Sequence, residues 1–382
     1  MKDRILLSSP HMSGKEKVYV EEAIESNWVT PLGPFVDKME AMLCSLTNVS
    51  YCAVLNSGTS AIHLALKLSG VSEGDYVICQ SMTFSATANP IIYEKAKPVF
   101  IDSELDTWNM CPISLERAIK DLMSKGISPK ALLLVHLYGM PAKIDEIIRI
   151  CNTYNIALIE DAAEAIGSSY KGKACGSFGD FGILSFNGNK MITTSGGGAL
   201  LSRNEKSIKE AKFLATQAKD NAPHYQHSKI GYNYRLSNIS AAIGVAQLEV
   251  LENRVQARRS NHEFYYNSLK HLGFISFLKE PKDYYSNRWL SCILIDPIKS
   301  DGLSCNDIRL ALEEENIETR PLWKPMHLQP IFKDELYYGN TVASDLFENG
   351  LCLPSGSNLA KTDLERVVNI LIKVFKDAGF IK

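Results

Sequence analysis

The chain has 382 residues, of which 45% are hydrophobic and 22% charged, with a formal net charge of −2. That length suffices for two or three domains around a large buried core, and the near-neutral balance offers no basic surface for a nucleic acid partner. The opening MKDRILLSSPHMSGKE lacks the apolar run and cleavage site of a secretory signal, and no run of about eighteen apolar residues could span a membrane, so a cytoplasmic protein without membrane contact is expected.

Residues 1–27 read as an arm and one helix. Short apolar runs then alternate with helical periodicity. YCAVLN, DYVICQ, KPVFID, ALLLVHLY, IALIED, FGILSF and GALLS read as strands; AIHLALKLSG, ATANPIIYEKA, SLERAIKDLMSK and KIDEIIRICNTYN, with apolar residues three to four apart, read as helices. Continuous apolar strands separated by helices predict an α/β fold over 28–255, its mainly parallel sheet covered on both faces. SNISAAIGVAQLEVLENRVQARR reads as one long helix with Ser237 as N-cap, carrying the chain out of that domain. Over 256–382, the strands NRWLSCILID and IETRPLWK mix with the helices CNDIRLALEEEN and DLERVVNILIKVFKDAG, which predicts a smaller α+β domain. Nine scattered cysteines without a CxxC pair suit reduced buried thiols. His224 and His227 are the closest histidine pair, and with no third ligand in view no metal is expected.

Three segments carry chemistry. In AVLNSGTSAIHLAL a buried strand turns through Asn56-Ser57-Gly58-Thr59-Ser60 into a helix whose N-terminal N–H groups, with the Ser and Thr hydroxyls, could cradle a phosphate; a plain N-capped turn is the simpler alternative. In IALIEDAAEA, Asp161 closes an apolar strand, where α/β sheets bind ligands; it could pair a protonated ring nitrogen or merely cap the next turn. In GDFGILSFNGNKMITTSGGGALL, Lys190 stands between an apolar strand and the glycines 196–198, with no acidic neighbour in sequence. Burial there would make it a Schiff-base nucleophile, and Ser185 on the same strand end could donate to a phosphate. In QSMTFSATANP, Phe84 is either a stacking aromatic or a core residue. Phosphate turn, strand-end Asp and later Lys, in that order, are what a fold-type I pyridoxal phosphate (PLP) enzyme needs.

The motifs NSGTSAIHLAL, TFSATANPI, HLYG, IEDAAEA, SFNGNK and GYNYRLSN, between the opening SSPHMSG and the late GLCLPSG, resemble the DegT/StrS family of PLP-dependent nucleotide-sugar aminotransferases. The resemblance implies that Ser57, Gly58, Thr59 and Ser185 hold the cofactor phosphate. It also implies that Phe84 and Ala163 pack on the two ring faces, that Asp161 bonds the ring nitrogen, and that Lys190 carries the cofactor. Glu164 would lie near the ring hydroxyl and the sugar. A homodimer with shared active sites is implied too, with Asn233 reaching the neighbouring cofactor phosphate. Thr194-Ser195-Gly196-Gly197 stands where many relatives read GEGG, and Asn187-Gly188-Asn189 where many have His-x-Thr. Both features, with ETRPLWKPMHLQP, are similar to the bacillosamine-pathway and exopolysaccharide-operon branches. The expected reaction moves the amino group of L-glutamate to C4 of a UDP-linked 4-keto-6-deoxy sugar. Arg235, Arg320, Trp323, Lys324 and His327 are candidates for its nucleotide, the alternative being solvated surface charges. A 3-keto sugar aminotransferase, a desulfurase using Cys175 and a non-catalytic PLP-binding scaffold are the competing readings.

Overall fold

The computed structural model describes residues 3–300 and 302–380. All seven predicted strands form, and they assemble into one sheet with an eighth from the C-terminal part. Across the sheet the order is Tyr51–Leu55, Gly198–Ser202, Phe181–Ser185, Ala157–Asp161, Ala131–Val135, Tyr76–Gln80, Lys97–Ile101 and Leu336–Tyr338. Five of the pairings are parallel, and the two involving Gly198–Ser202 are antiparallel. Strands 131–135, 181–185 and 198–202 are buried at every position. That explains why they read as unbroken apolar runs: helices cover both faces and leave no solvent side to alternate with.

A four-stranded antiparallel sheet follows, ordered Ile275–Phe277, Ser291–Ile295, Gly350–Leu353 and Arg320–Pro321. Its apolar face packs with helices Leu251–Leu269, Cys305–Glu314 and Lys361–Asp377 in a separate core cluster.

Several expectations need correction. The run 237–259 is two helices, Asn238–Leu248 and Leu251–Leu269, separated at Val250 (φ −114°, ψ 9°). The second extends to residue 269, so the boundary drawn after residue 255 falls inside a helix. The predicted strand IETRPLWK is strand only at Arg320–Pro321, because the following segment turns away to meet Tyr138 and Ser81. Helices Pro34–Thr47, Glu205–Ala215 and Val342–Asn349 were not anticipated. Two segments also cross the expected division: Ile5, near the N-terminus, bridges Ile317, and Leu336–Tyr338 joins the large sheet beside Lys97–Ile101.

One close approach positions everything that follows. Gly198 pairs with Leu55, directly under the turn into helix Gly58–Leu68. A Cβ at Gly198 would stand 2.4 Å from Gly58 N and 2.6 Å from Ser57 O, both backbone atoms. Gly198→Ala is therefore expected to cost about 1–3 kcal/mol, read as a lowered urea midpoint with weakened cofactor retention. An unchanged midpoint would show that the turn can yield.

Candidate active site

The carboxyl ends of the parallel strands open into a cavity of about 300 Å³, the usual ligand position in such sheets. At one end lies the first turn of helix Gly58–Leu68. Ser57 caps it, its Oγ accepting from Ser60 N–H at 3.0 Å. The N–H groups of Gly58 and Thr59 have no acceptor within the helix and sit at the positive end of its dipole. Ser185 ends its strand beside them: a Cβ built on Gly58 would lie 3.2 Å from Ser185 Cβ. Sequence-distant Ser57, Gly58, Thr59 and Ser185 thus converge as one anion cradle.

At another wall stands Asp161, buried, its Oδ2 accepting from Thr87 Oγ1 at 2.7 Å and its Oδ1 from Ala163 N–H at 3.1 Å. Thr87 is in turn bonded to Thr83 at 2.7 Å. Sequence reasoning missed Thr87, although it lies one turn into the helix that follows Phe84. The neighbouring Glu160 points to the opposite side of the strand. Burial works to raise its carboxyl, but His136 and the N–H groups of Gly179 and Gly176 outweigh that and hold it below its ordinary value.

Lys190 reaches the same cavity with an 11% exposed side chain, its Nζ 3.5 Å from Glu164 Oε1. No acidic residue precedes or follows it closely in sequence; its partner arrives from 26 positions upstream. Burial pushes the Glu164 carboxyl above its ordinary value, against the opposing pull of Lys190 and of the Tyr138 N–H, which donates to Oε2 at 2.7 Å. Ala163 also lines the cavity. Phe84 lines it as well while remaining 54% exposed, so the core reading fails for this residue; its ring meets Trp323 edge-on at 4.7 Å.

Phe84, Trp323 and Asn189 also border a second cavity of about 540 Å³, whose wall includes Arg320, Lys324 and Glu318. Arg320 is exposed and paired to Glu318 at 2.9 Å. The other candidates lie outside both cavities of this chain. Arg235 is buried against Glu40, Nη1 to Oε1 3.2 Å, and so is already committed. His327 bonds Ser81 Oγ at 2.7 Å through Nδ1 and stacks on Tyr337 at 3.8 Å, with burial lowering its pKa. Asn233 is exposed, its carbonyl accepting from Asn56 Nδ2 at 3.1 Å. Cys175 is buried outside the cavity, and burial raises its thiol well above the ordinary value, which leaves the desulfurase reading without a nucleophile.

The profile of the DegT/DnrJ/EryC1/StrS aminotransferase family matches residues 10–372. This chain belongs to that family. It is 54% identical over 379 residues to EpsN of Bacillus subtilis, which bears the name of a pyridoxal phosphate-dependent aminotransferase, covering 98% of this chain and 97% of that one. It is 36% identical to a protein of Escherichia coli O157:H7 named GDP-perosamine synthase, covering 96% and 98% of the two chains. Among solved structures, Spr1654 of Streptococcus pneumoniae, named as a sugar aminotransferase and captured in a PLP-form, superposes with a TM-score of 0.89 at 26% identity, covering 98% and 100%. A DegT DnrJ EryC1 StrS aminotransferase of Brucella abortus gives 0.87 at 28%, covering 94% and 95%.

The family member described here is accordingly a PLP-dependent aminotransferase of the fold-type I α/β class. Its own residues fit the cofactor: an anion cradle for a phosphate, a buried carboxylate for a ring nitrogen and an amine for an aldehyde share one cavity.

Glu164 gives a pH signature in the cofactor-free protein. Its folded pKa lies above the ordinary 4.5, so the unfolded chain releases that proton first and the folded state loses stability as pH rises through the raised value. Glu164→Gln removes that loss. The variant's thermal midpoint relative to wild type is expected to climb as pH rises from about 4.5 toward neutral, whereas a difference independent of pH would contradict the assignment.

Proposed function

We propose that this aminotransferase moves the amino group of L-glutamate to the C4 keto group of a nucleotide-linked 4-keto-6-deoxy sugar, of the UDP-2-acetamido-2,6-dideoxy-4-keto hexose type. We place it in the cytoplasm, as a homodimer supplying surface or exopolysaccharide glycan synthesis. The supporting observation is the joined pair of cavities. The first gathers Lys190, Glu164, Asp161 and the helix N-terminus; the second, across Phe84 and Trp323, offers Arg320 and Lys324 to a diphosphate.

When bound, PLP supplies an electron sink for the carbanion formed at the amino carbon. Gly58, Thr59, Ser57 and Ser185 would orient it through its phosphate, and Asp161, fixed by Thr87, would hold the proton on the ring nitrogen. The Nζ of Lys190 takes the proton from the donor's α-carbon, and in the second half-reaction gives one to the sugar carbon; a single amine within reach of both positions suffices for general acid–base work. Glutamate departs as 2-oxoglutarate. Phe84 and Ala163, which both line the cavity, would hold the cofactor ring. We assign Asn233, exposed beside Asn56, to the cofactor phosphate of a second copy of the chain.

A GDP-linked sugar is the second reading, favoured by the relatives from E. coli and Caulobacter vibrioides named GDP-perosamine synthase, 36% and 34% identical. Keto sugars generated in situ by dehydratases from UDP-GlcNAc, dTDP-glucose and GDP-mannose, each with glutamate, separate the two. The UDP-derived product is expected to be aminated fastest, and a preference for the GDP-derived one would select the second reading.

Lys190→Ala should abolish turnover together with the absorbance band of the lysine-linked cofactor, and borohydride reduction of wild type should fix the cofactor on the peptide containing residue 190. Turnover retained by the variant, or a label on another lysine, would remove Lys190 from this role.

A further inference from the structure

The amine of Lys190 has a second neighbour that the reaction outlined above leaves unused. Its Nζ lies 4.1 Å from the centroid of the Trp289 indole, on the ring face, while Glu164 Oε1 stands at 3.5 Å. Trp289 is itself locked in place. It is 2% exposed; its Nε1–H donates to Asn189 O at 2.9 Å, its N–H to Asn287 Oδ1 at 2.9 Å, and its carbonyl accepts from Arg258 Nη1 at 2.6 Å. Asn287 in turn donates from Nδ2 to the carbonyl of Glu164 at 2.8 Å. One residue therefore touches the reactive amine, the backbone of the turn that carries it, and the side chain that holds Glu164's backbone.

The chemistry of a proton-carrying lysine makes that face consequential. Each time Nζ takes a proton from a substrate carbon it acquires a full positive charge on a side chain that is only 11% exposed. A neutral amine gains little from an aromatic face, whereas an ammonium is attracted by the ring quadrupole, more strongly where water is excluded. The interaction thus grows as charge develops, which is the condition for lowering a barrier rather than merely binding.

We propose that Trp289 is a further catalytic residue of this enzyme: its indole face stabilises the charge that Lys190 Nζ gains during proton transfer, and its Nε1–H fixes the lysine turn. This rests on the assignment of Lys190 as the cofactor-bearing base, and the test separates the two.

The experiment uses the PLP-loaded enzyme and glutamate alone, without sugar, following the loss of the cofactor's visible absorbance in a stopped flow. Tryptophan at position 289 is replaced site-specifically by 5-fluoro- and 5,7-difluorotryptophan, which keep the shape and the N–H while draining the ring face of negative charge. Trp289→Phe and Trp289→Leu complete the series. The expected result is a limiting rate that falls stepwise with fluorination, by several-fold in Trp289→Phe and by at least tenfold in Trp289→Leu, with the half-saturating glutamate concentration unchanged. A rate indifferent to fluorination overturns the proposal, as does a Trp289→Leu enzyme that loads PLP and reacts at the wild-type rate. Should Trp289→Leu fail to fold, the fluorinated pair still decides. Absence of the absorbance band from wild type would instead count against Lys190, whatever Trp289 does.

Discussion

A buried, chemically active amine has to be held at one point, and the 187–190 turn that carries Lys190 has little internal means of doing so. Its closing bond is Lys190 N–H to Asn187 O at 3.0 Å. The rest comes from outside: Asn189 O accepts from Ser8 Oγ at 2.7 Å and from Trp289 Nε1, and the fully buried Arg258 donates to Ser8 Oγ at 2.9 Å as well as to Trp289 O. Arm, helix 251–269 and the segment leading into strand Ser291–Ile295 are thereby tied to one turn of the large sheet. A guanidinium buried among carbonyls carries a desolvation cost, visible in the lowering of Arg258 to about 9. Its retention here is understandable as the hub of that clamp, since removing a partner from a buried charged group costs more than the group contributes.

The strand Ala157–Asp161 shows how one element can serve structure and chemistry at once. Successive residues of a strand face opposite sides, so Glu160 and Asp161 diverge. Glu160 turns into the protein, accepting from Gly176 and His136 Nε2 at 2.9 Å each. His136 Nδ1 accepts from Ala142 N–H at 3.1 Å, which leaves Nε2 as the donor to Glu160. This closed network fixes the strand end, and Asp161 projects from it toward the cavity with Thr87 and Ala163 N–H setting its rotamer. The Asp161 carboxylate is thus held in place before any ligand arrives, in keeping with how buried polar groups are satisfied in pairs or networks.

The large sheet was legible because its strands are buried on both faces and separated by strongly periodic helices. That Gly58, Asp161 and Lys190 share one cavity was legible because they sit at strand ends and turns, where they break the apolar pattern. What escaped was contributed across the chain. Glu164 as the partner of Lys190, Thr87 as the orienter of Asp161 and Trp289 beneath the amine depend on contacts between residues 26, 74 and 99 positions apart, and no local periodicity records those. The failed expectations have the same origin. Val250 interrupts a helical pattern that its neighbours continue, and the NRWLSCILID run conceals Asn287 and Trp289, which leave the strand to serve the site. Phe84, an apolar residue left half exposed, is legible only as the rim of a cavity.

The arginines show why exposure, more than charge, separates a ligand group from a structural one. Arg320 and Arg235 both hold a carboxylate, Glu318 at 2.9 Å and Glu40 at 3.2 Å. Arg320's side chain is 66% exposed, and an exposed pair is held by about 0–1 kcal/mol, so little free energy ties its guanidinium to Glu318. Arg235's is 7% exposed, and Glu40 also accepts from Lys212 and from Val54 N–H. Taking Arg235 away would remove one of the two cations that share the Glu40 carboxylate, so Arg235 belongs to a mostly buried network rather than to a lone surface pair. The same residue type is thus loosely held in one place and a fixture in the other: of these two arginines, the one beside the Phe84–Trp323 rim is the freer to change partners.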